Sequence, residues 1–410
     1  MGNRFFAITC LLSLSTSIII PVDALCPTPV PDVYKNIQPG NIRVGFFASW
    51  DVYTHDYQVQ DMYSIANQLT HIVYAFVKPD SATGTCKLHD EWGDIGANFE
   101  FQTAVAGNFR KLQEFKKKFP HIKILLSIGG GKYASEFAQI ADKNLLSRLA
   151  ESCAQIIDSY TYYYDNPDTG KKGSIRFNYA GLFDGIDVDW EWEDAVPQAH
   201  AKKYLEFMAN LRNLLQKKRK GLLLTADLQV NPNIYRSLPL AHIVKYVDWL
   251  HVMAYDFYSP NNDSVGLNAP ICSLWSVFSI DGAFNRIINL GVPPYKMVMA
   301  LPLYGYIFDN SNGFLTKYTK TDTASKAISY SLIQKNFLDD PLFKKQWHPL
   351  GKAPSLYNRK EKVFISYDDQ ASIREKVAFA KMKRLKGIAL WKLSGDDQNH
   401  TLVKEVFDSW

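Results

Sequence analysis

Asp187, Asp189 and Glu191 alternate with Ile186, Val188 and Trp190 inside residues 181–193, which read GLFDGIDVDWEWE. Successive side chains of an extended chain point to opposite faces, so the three carboxyl groups share one face and the apolar groups the other. Neighbours on one face of a strand stand about 6–7 Å apart, and three carboxylates at that spacing in a partly dry cleft repel strongly. Some of them must hold or share protons. A carboxylic acid kept protonated near neutral pH is what general-acid catalysis requires, and a neighbouring carboxylate is one way of raising its pKa. A solvated edge strand would mix its acids with Thr, Ser and Lys, whereas this face is acid only and is flanked by Phe183, Trp190 and Trp192. A hard-cation site would bring a Gly-containing calcium loop or a His partner, and neither accompanies the stretch.

Acids so placed need a rigid frame, and the chain supplies short apolar runs in order. Residues 43–50 (RVGFFASW), 69–77 (LTHIVYAFV) and 123–130 (KILLSIGG) read as the first three strands, the acidic stretch as the fourth. Residues 221–228 (GLLLTADL), 247–255 (VDWLHVMAY), 296–303 (KMVMALPL) and 386–393 (KGIALWKL) supply the fifth to the eighth. Helix-period segments at 102–119 and 135–160, and one carrying Tyr204, Met208, Leu211 and Leu215, separate them. Strand and helix in alternation is the pattern of parallel βαβ units, and continuous apolar strands are those covered on both faces. The interval from strand seven to strand eight is too long for one helix. Residues 309–362, rich in Lys, Asn, Ser and Tyr with little helical period, form an insertion there, and 367–381 (YDDQASIREKVAFAK) is the helix that leads on to strand eight.

With 410 residues, 47% of them hydrophobic, the chain buries a large core, and disorder is excluded. The net charge of +5 is spread, and its densest run, KKRK at 217–220, falls where a helix ends and complements the helix dipole. Without aromatic interleaving this is no nucleic-acid reader. The first 24 residues, with Arg4, an interrupted apolar run and a Val-x-Ala site at Val22 and Ala24, read as a secretory signal peptide rather than a membrane anchor, so an extracellular protein is expected. Its removal takes Cys10 and leaves Cys26, Cys86, Cys153 and Cys272, for which disulfides are allowed. Cys153 lies on the apolar stripe of Phe137, Leu145, Leu149 and Ile156, which predicts a buried free thiol. Neither CxxC nor HExxH occurs, and the nine His residues form no metal-binding pattern. Residues 262–264 (NDS) and 399–401 (NHT) are glycosylation sites only in a eukaryotic secretory pathway.

The segment DGIDVDWE, residues 184–191, resembles the DxxDxDxE signature of glycoside hydrolase family 18, the chitinases and their relatives. SIGG at 127–130, MAYDFY at 253–258, GLNAP at 266–270, NLGVPPYK at 289–296, LPLYG at 301–305 and the Trp of LWKL at Trp391 resemble further stations of that family, so the likeness runs from about Arg43 to the C-terminus. It implies an α/β fold, a (β/α)8 TIM barrel with the signature on strand four and a small α+β insertion between strand seven and helix seven. The YDD segment resembles the close of the insertion in the deep-cleft branch. The implied division is a signal peptide at 1–24, a catalytic barrel at 25–306 and 364–410, and an insertion domain at 307–363. Nothing resembles an appended carbohydrate-binding module.

In such a barrel the active site lies at the C-terminal ends of the strands. The resemblance implies that Glu191 protonates the glycosidic oxygen and then activates water, while the sugar's own N-acetyl oxygen attacks the anomeric carbon, so no protein nucleophile is needed. Asp189 would orient and stabilise the acetamido group, Asp187 would pair with Asp189 and set its protonation, and Tyr255 would donate to the acetamido oxygen. Asp184, out of phase with the inward set, reads as structural. Trp391 at a strand end offers a flat surface on which a pyranose stacks, as the family's Trp does. Asp256 borders the cleft, and Met253, Phe47, Tyr304 and Gly130 complete the expected sugar-binding set. His251 shares parity with Met253 and Tyr255 and reads as a buried, hydrogen-bonded His.

Two departures stand at cleft-lining stations: Gly131 where many relatives have Trp, and Tyr306 where they have Arg. They bear on subsite affinity and processivity, since aromatic platforms and bidentate Arg contacts supply such binding. A short insertion likewise makes a shallower cleft. The implied activity is retaining hydrolysis of β-1,4-linked N-acetylglucosamine polymers without metal or organic cofactor. The implied partners are chitin or N-acetylglucosamine oligosaccharides, with no nucleic acid and no membrane, for a protein expected to be a monomer. An endo-β-N-acetylglucosaminidase shares the acidic motif but goes without this insertion, and a chitin-binding lectin of the family lacks the acid that Glu191 supplies.

Overall fold

The computed structural model describes residues 26–97, 104–166, 170–273, 278–318 and 326–410. The expected leader at 1–24 and the first residues of the helix expected from 102 lie outside them. In chain order, β1 (Ile42–Ala48) and β2 (His71–Asp80) pair in parallel, and β3 (Thr85–Leu88) turns back antiparallel along β2. The parallel series continues with β4 (Lys123–Gly129) and, after the hairpin of β5 (Ser159–Asp165) and β6 (Lys172–Asn178), with β7 (Gly185–Asp189), β8 (Leu223–Gln229), β9 (Trp249–Met253) and β10 (Met297–Pro302). A second sheet follows, of β11 (Tyr304–Phe308), β12 (Ala327–Ser329), β13 (Lys344–His348), β14 (Ala353–Asn358) and β15 (Val363–Ser366). Last comes β16 (Gly387–Trp391), which pairs with both β10 and β1 and so closes β1, β2, β4, β7, β8, β9, β10 and β16 into an eight-stranded parallel barrel.

Burial follows from closure. Every residue of β7 is buried, and β4 and β10 are buried almost throughout, because the barrel interior covers one face and helices the other. The helix Gln198–Lys218 packs Tyr204, Phe207, Met208, Leu211 and Leu215 inward at helical spacing, ends on Lys217 and Lys218, and stops at the extended Arg219. The helix expected at 135–160 is two. Ala134–Asp142 ends near Asn144, whose φ of 56° is left-handed, and Leu146–Ile156 follows. Tyr160 then belongs to β5, since the run SYTYYYD is made of residues that favour extended chain. Among the described residues no helix is long and apolar enough to cross a membrane.

The second sheet is antiparallel in the order β12-β11-β15-β14-β13 and leaves the barrel immediately after β10. It contains a helix, Tyr330–Phe337, whose N-cap Ser329 accepts the Leu332 N–H at 3.3 Å. Two turns are too short to impose a visible period on so polar a stretch.

Cys153 is not a free thiol. It sits on the predicted apolar face but is bonded to Cys86 of β3, while Cys26 is bonded to Cys272. Helical periodicity identified its burial and carried no information about β3, which brings Cys86 to that face. The Cys86–Cys153 bond closes a chain separation of 67 residues, worth about 4 kcal/mol through loss of unfolded-state entropy. Cys153→Ala and Cys86→Ala are each expected to lower unfolding free energy by about that amount in a denaturant titration, with the double change no worse than either single one. An unchanged midpoint for Cys153→Ala would show that the bond does not hold helix and hairpin together.

Candidate active site

The C-terminal ends of β7, β8 and β9 stand side by side, with Asp187 opposite Thr225 and Asp227 opposite His251. Asp187 is fully buried and receives the Ser127 hydroxyl at 2.6 Å on Oδ2 and the Thr225 hydroxyl at 2.5 Å on Oδ1. The indole N–H of Trp249 donates to His251 Nε2 at 2.8 Å. Because that indole only donates, Nε2 is the acceptor and the imidazole proton sits on Nδ1. Nδ1 lies 3.3 Å from Asp187 Oδ1 and 3.4 Å from Asp227 Oδ1. Asp187, Asp227 and His251 bring potential ligand atoms within 4.8 Å of one another; two hydroxyls meet the oxygens of Asp187, while Asp227 Oδ2 and His251 Nδ1 have no hydrogen-bond partner among the described residues.

Protons are unequally held in this group. Burial alone would raise Asp187, yet His251, Asp227 and Ser127 around it hold it below the ordinary carboxylate range. Burial, then the charges of Asp227, Glu191 and Asp187, drives Asp189 well above it. Glu191 is raised by burial and by the charge of Asp256, against the pull of the Gly131 N–H. Asp189 Oδ1 and Asp227 Oδ2 are buried without a protein partner, a state costing about 1–3 kcal/mol per group when nothing meets it.

These acids open into a cleft of about 520 Å³ whose lining includes Glu191, Asp189, Asp227, Tyr255, Asp256, Met253, Tyr304, Gly130 and Trp391. Gly130 N–H donates to Asp189 O at 2.9 Å. With φ of 120° and 89°, Gly129 and Gly130 leave room that a Cβ would take from Asp189 O and the Phe76 ring, which is the physical content of the SIGG turn. The Trp391 indole stacks on Phe76 at 5.8 Å and meets the Phe46 edge at 5.4 Å, leaving it part-exposed as a floor. Tyr304 and Tyr306 both donate to Asp256 Oδ1, the latter at 2.9 Å. Asp256 has a left-handed φ of 61°, and Asn268 of the GLNAP segment secures that turn by accepting its N–H at 2.9 Å while donating to Tyr304 O at 3.2 Å. On the outer face of β7, Trp190 stacks between Phe137 and Trp192, so the alternation of the strand separates chemistry from packing.

Nine of the ten residues singled out from the sequence line this cleft or, like Asp187, lie directly beneath it; Phe47 does not. Its ring packs outward against Tyr74 at 5.9 Å and Tyr57 at 6.1 Å, and the neighbouring Phe46 faces the cleft, a one-residue parity error on an all-apolar strand. Asp184 binds Lys116 at 2.6 Å and the Ile124 N–H at 2.8 Å, on the side of the barrel away from the cleft. His251 is fully buried and hydrogen-bonded. Trp50, Phe76, Tyr133 and Asp227 also line the cleft without having been singled out. For Asp227 a signal existed: an acid at inward parity in the otherwise apolar run GLLLTADL.

A raised Glu beside a raised Asp, at the strand ends of a (β/α)8 barrel and above an aromatic floor, is an arrangement suited to acid catalysis. Residues 42–396 match the model of Glycosyl hydrolases family 18, and the chain belongs to that family. It is 28% identical to chitinase A1 of Niallia circulans over 96% of this chain and 61% of that protein, so it spans less than two thirds of that relative's length. It is 27% identical to endochitinase 1 of Metarhizium anisopliae over 90% of this chain and 85% of that protein. Among solved structures, chitinase ChiA74 from Bacillus thuringiensis superposes with a TM-score of 0.75 at 25% identity, covering 90% of this chain and 70% of that one. A plant class V chitinase mutant from Cycas revoluta in complex with (GlcNAc)3 shares the fold with a TM-score of 0.71 at 22% identity, over 90% of this chain and 99% of that one.

The charge of Asp256 disfavours ionised Glu191, so Asp256→Asn, which keeps the acceptor for both tyrosine hydroxyls, should let Glu191 ionise more readily. The alkaline limb of kcat/KM for glycoside cleavage is expected to move to lower pH in Asp256→Asn. A limb that stays in place or moves to higher pH would show that Asp256 does not act on Glu191 through its charge.

Proposed function

We propose that this protein is a chitinase that hydrolyses β-1,4 bonds between N-acetylglucosamine units with retention, the acetamido group of the reacting sugar serving as nucleophile. The observation that carries this reading is the pairing of a raised Glu191 with a raised, part-unpartnered Asp189 in a cleft floored by Trp391. Protonated Glu191 gives its proton to the glycosidic oxygen as the C1–O bond breaks, and the acetamido oxygen forms a bond to C1, leaving a cyclic oxazolinium. Asp189 faces the positive charge on the acetamido nitrogen, Asp187 supplies the anionic partner behind it, and the Tyr255 hydroxyl orients the acetamido oxygen. Glu191, now a carboxylate, takes a proton from the water that reopens the ring at C1, which restores the acid and returns the original anomeric configuration.

Met253, Asp256, Tyr304 and Gly130 shape the pocket for the reacting sugar, with Trp391 beneath its ring. The same reading makes residues 1–24 a secretory signal, the barrel at 25–306 and 364–410 the catalytic unit and residues 307–363 a small α+β domain forming one cleft wall, in a protein that works extracellularly as a monomer.

Glu191→Gln is expected to lower turnover of N-acetyl-chitooligosaccharides by about 10²–10⁴-fold, the usual worth of a general acid–base, with oligosaccharide affinity kept within a few-fold. Wild-type product sampled early should be the β-anomer. Binding without cleavage by the wild type would make the protein a lectin, and α-product would overturn the retaining assignment.

A further inference from the structure

Asp227 is a carboxyl group for which the DxxDxDxE motif has no place. The β7–β8 register, with Val188 opposite Ala226, continues one step to set Asp227 beside Asp189, and the β8–β9 register sets it opposite His251. The side chain is 4% exposed and lines the cleft, with Oδ1 3.4 Å from His251 Nδ1 and Oδ2 buried without a protein partner. Its carboxyl group also brings an oxygen within 4.8 Å of one of Asp187, and burial pushes it well above the ordinary carboxylate range. Two buried carboxyl groups this close avoid mutual repulsion when they hold one proton between them. Asp187 already accepts from Ser127 and Thr225 and faces the Nδ1 proton of His251, all of which favour its anionic form, so the shared proton resides on Asp227. Of the titratable groups around Asp189 and Tyr255, Asp227 is the one whose ionised form would act most strongly on each.

We propose that Asp227 is a positioning residue: as a neutral acid it donates to Asp187 and backs Asp189 and Tyr255, holding the two groups that receive the sugar's N-acetyl substituent. This rests on the chitinase reading above. Neutrality is the point of the arrangement. An ionised Asp227 would set a second negative charge beside Asp187, the anion behind Asp189, and would draw the Tyr255 hydroxyl towards itself and away from the acetamido oxygen.

The test compares Asp227→Asn, which keeps shape, neutrality and a donor for Asp187, with Asp227→Ala, which keeps none of them. Kinetics on N,N′,N″,N‴-tetraacetylchitotetraose are read beside the infrared carbonyl stretch of protonated carboxyl groups in the resting protein at pH 7. Asp227→Asn is expected to lose one protonated-carboxyl band and to lower kcat by about threefold, and Asp227→Ala to lower kcat by about thirtyfold or more, with KM within about twofold in both. An unchanged band in Asp227→Asn, or an Asn variant as impaired as the Ala variant, overturns the proposal. Because the band is read without substrate, the two readings fail separately: a wild type inert on the tetramer overturns the chitinase assignment, whereas an active wild type with indistinguishable variants overturns only the role of Asp227.

Discussion

Mutual repulsion among carboxyl groups confined at one end of a closed barrel is the constraint on which the remaining structure depends. Asp187, Asp189, Glu191 and Asp227 cannot all be ionised in so little space, and what surrounds them decides which one is. Ser127, Thr225 and His251 converge on Asp187 and make it the resident anion. The others are left with protons, which is the condition that acid catalysis needs. A closed parallel barrel suits the task because register fixes lateral neighbours: Ser127, Asp187 and Thr225 meet because β4, β7 and β8 align them row by row.

The aromatic residues around this centre serve two separate purposes. Trp190, Phe137 and Trp192 form a stack outside β7 that locks the strand against its helices, with Tyr204 edge-on to both indoles. Trp391, Phe76, Phe46 and Trp50 form another on the cleft side, open to solvent at one surface. Tyr306 joins Tyr304 in hydrogen-bonding Asp256, so that edge of the cleft presents neutral donors to a carboxyl group.

Much of the barrel was legible because its strands are continuous apolar runs with catalytic groups at their ends, and the acids announced themselves by alternation. What escaped did so for local reasons. Phe46 and Phe47, adjacent on a strand whose inner residues are all apolar, give no parity signal to tell the cleft-facing ring from the outward one. Cys153 was read as a thiol because its partner arrives on a four-residue strand, β3, that periodicity does not register. Asp227 was passed over although its parity was visible, since a single acid gains meaning only from the strands on either side, and lateral register is a property of the folded sheet. The break at Asn144 depended on one left-handed residue inside an otherwise helical pattern.

Only Leu303 separates β10, whose Pro302 pairs with Trp391 of β16, from β11, whose Tyr304 lines the cleft. Asn268 bonds Tyr304 O and the Asp256 N–H while its own N–H reaches Ser366 Oγ at 2.7 Å, tying β11, β15 and the loop after β9 into one piece. Such a groove has no hinge at this junction. On the Asp256 and Tyr304 side the edge of the cleft is held by hydrogen bonds at its root, so its shape is set before anything enters.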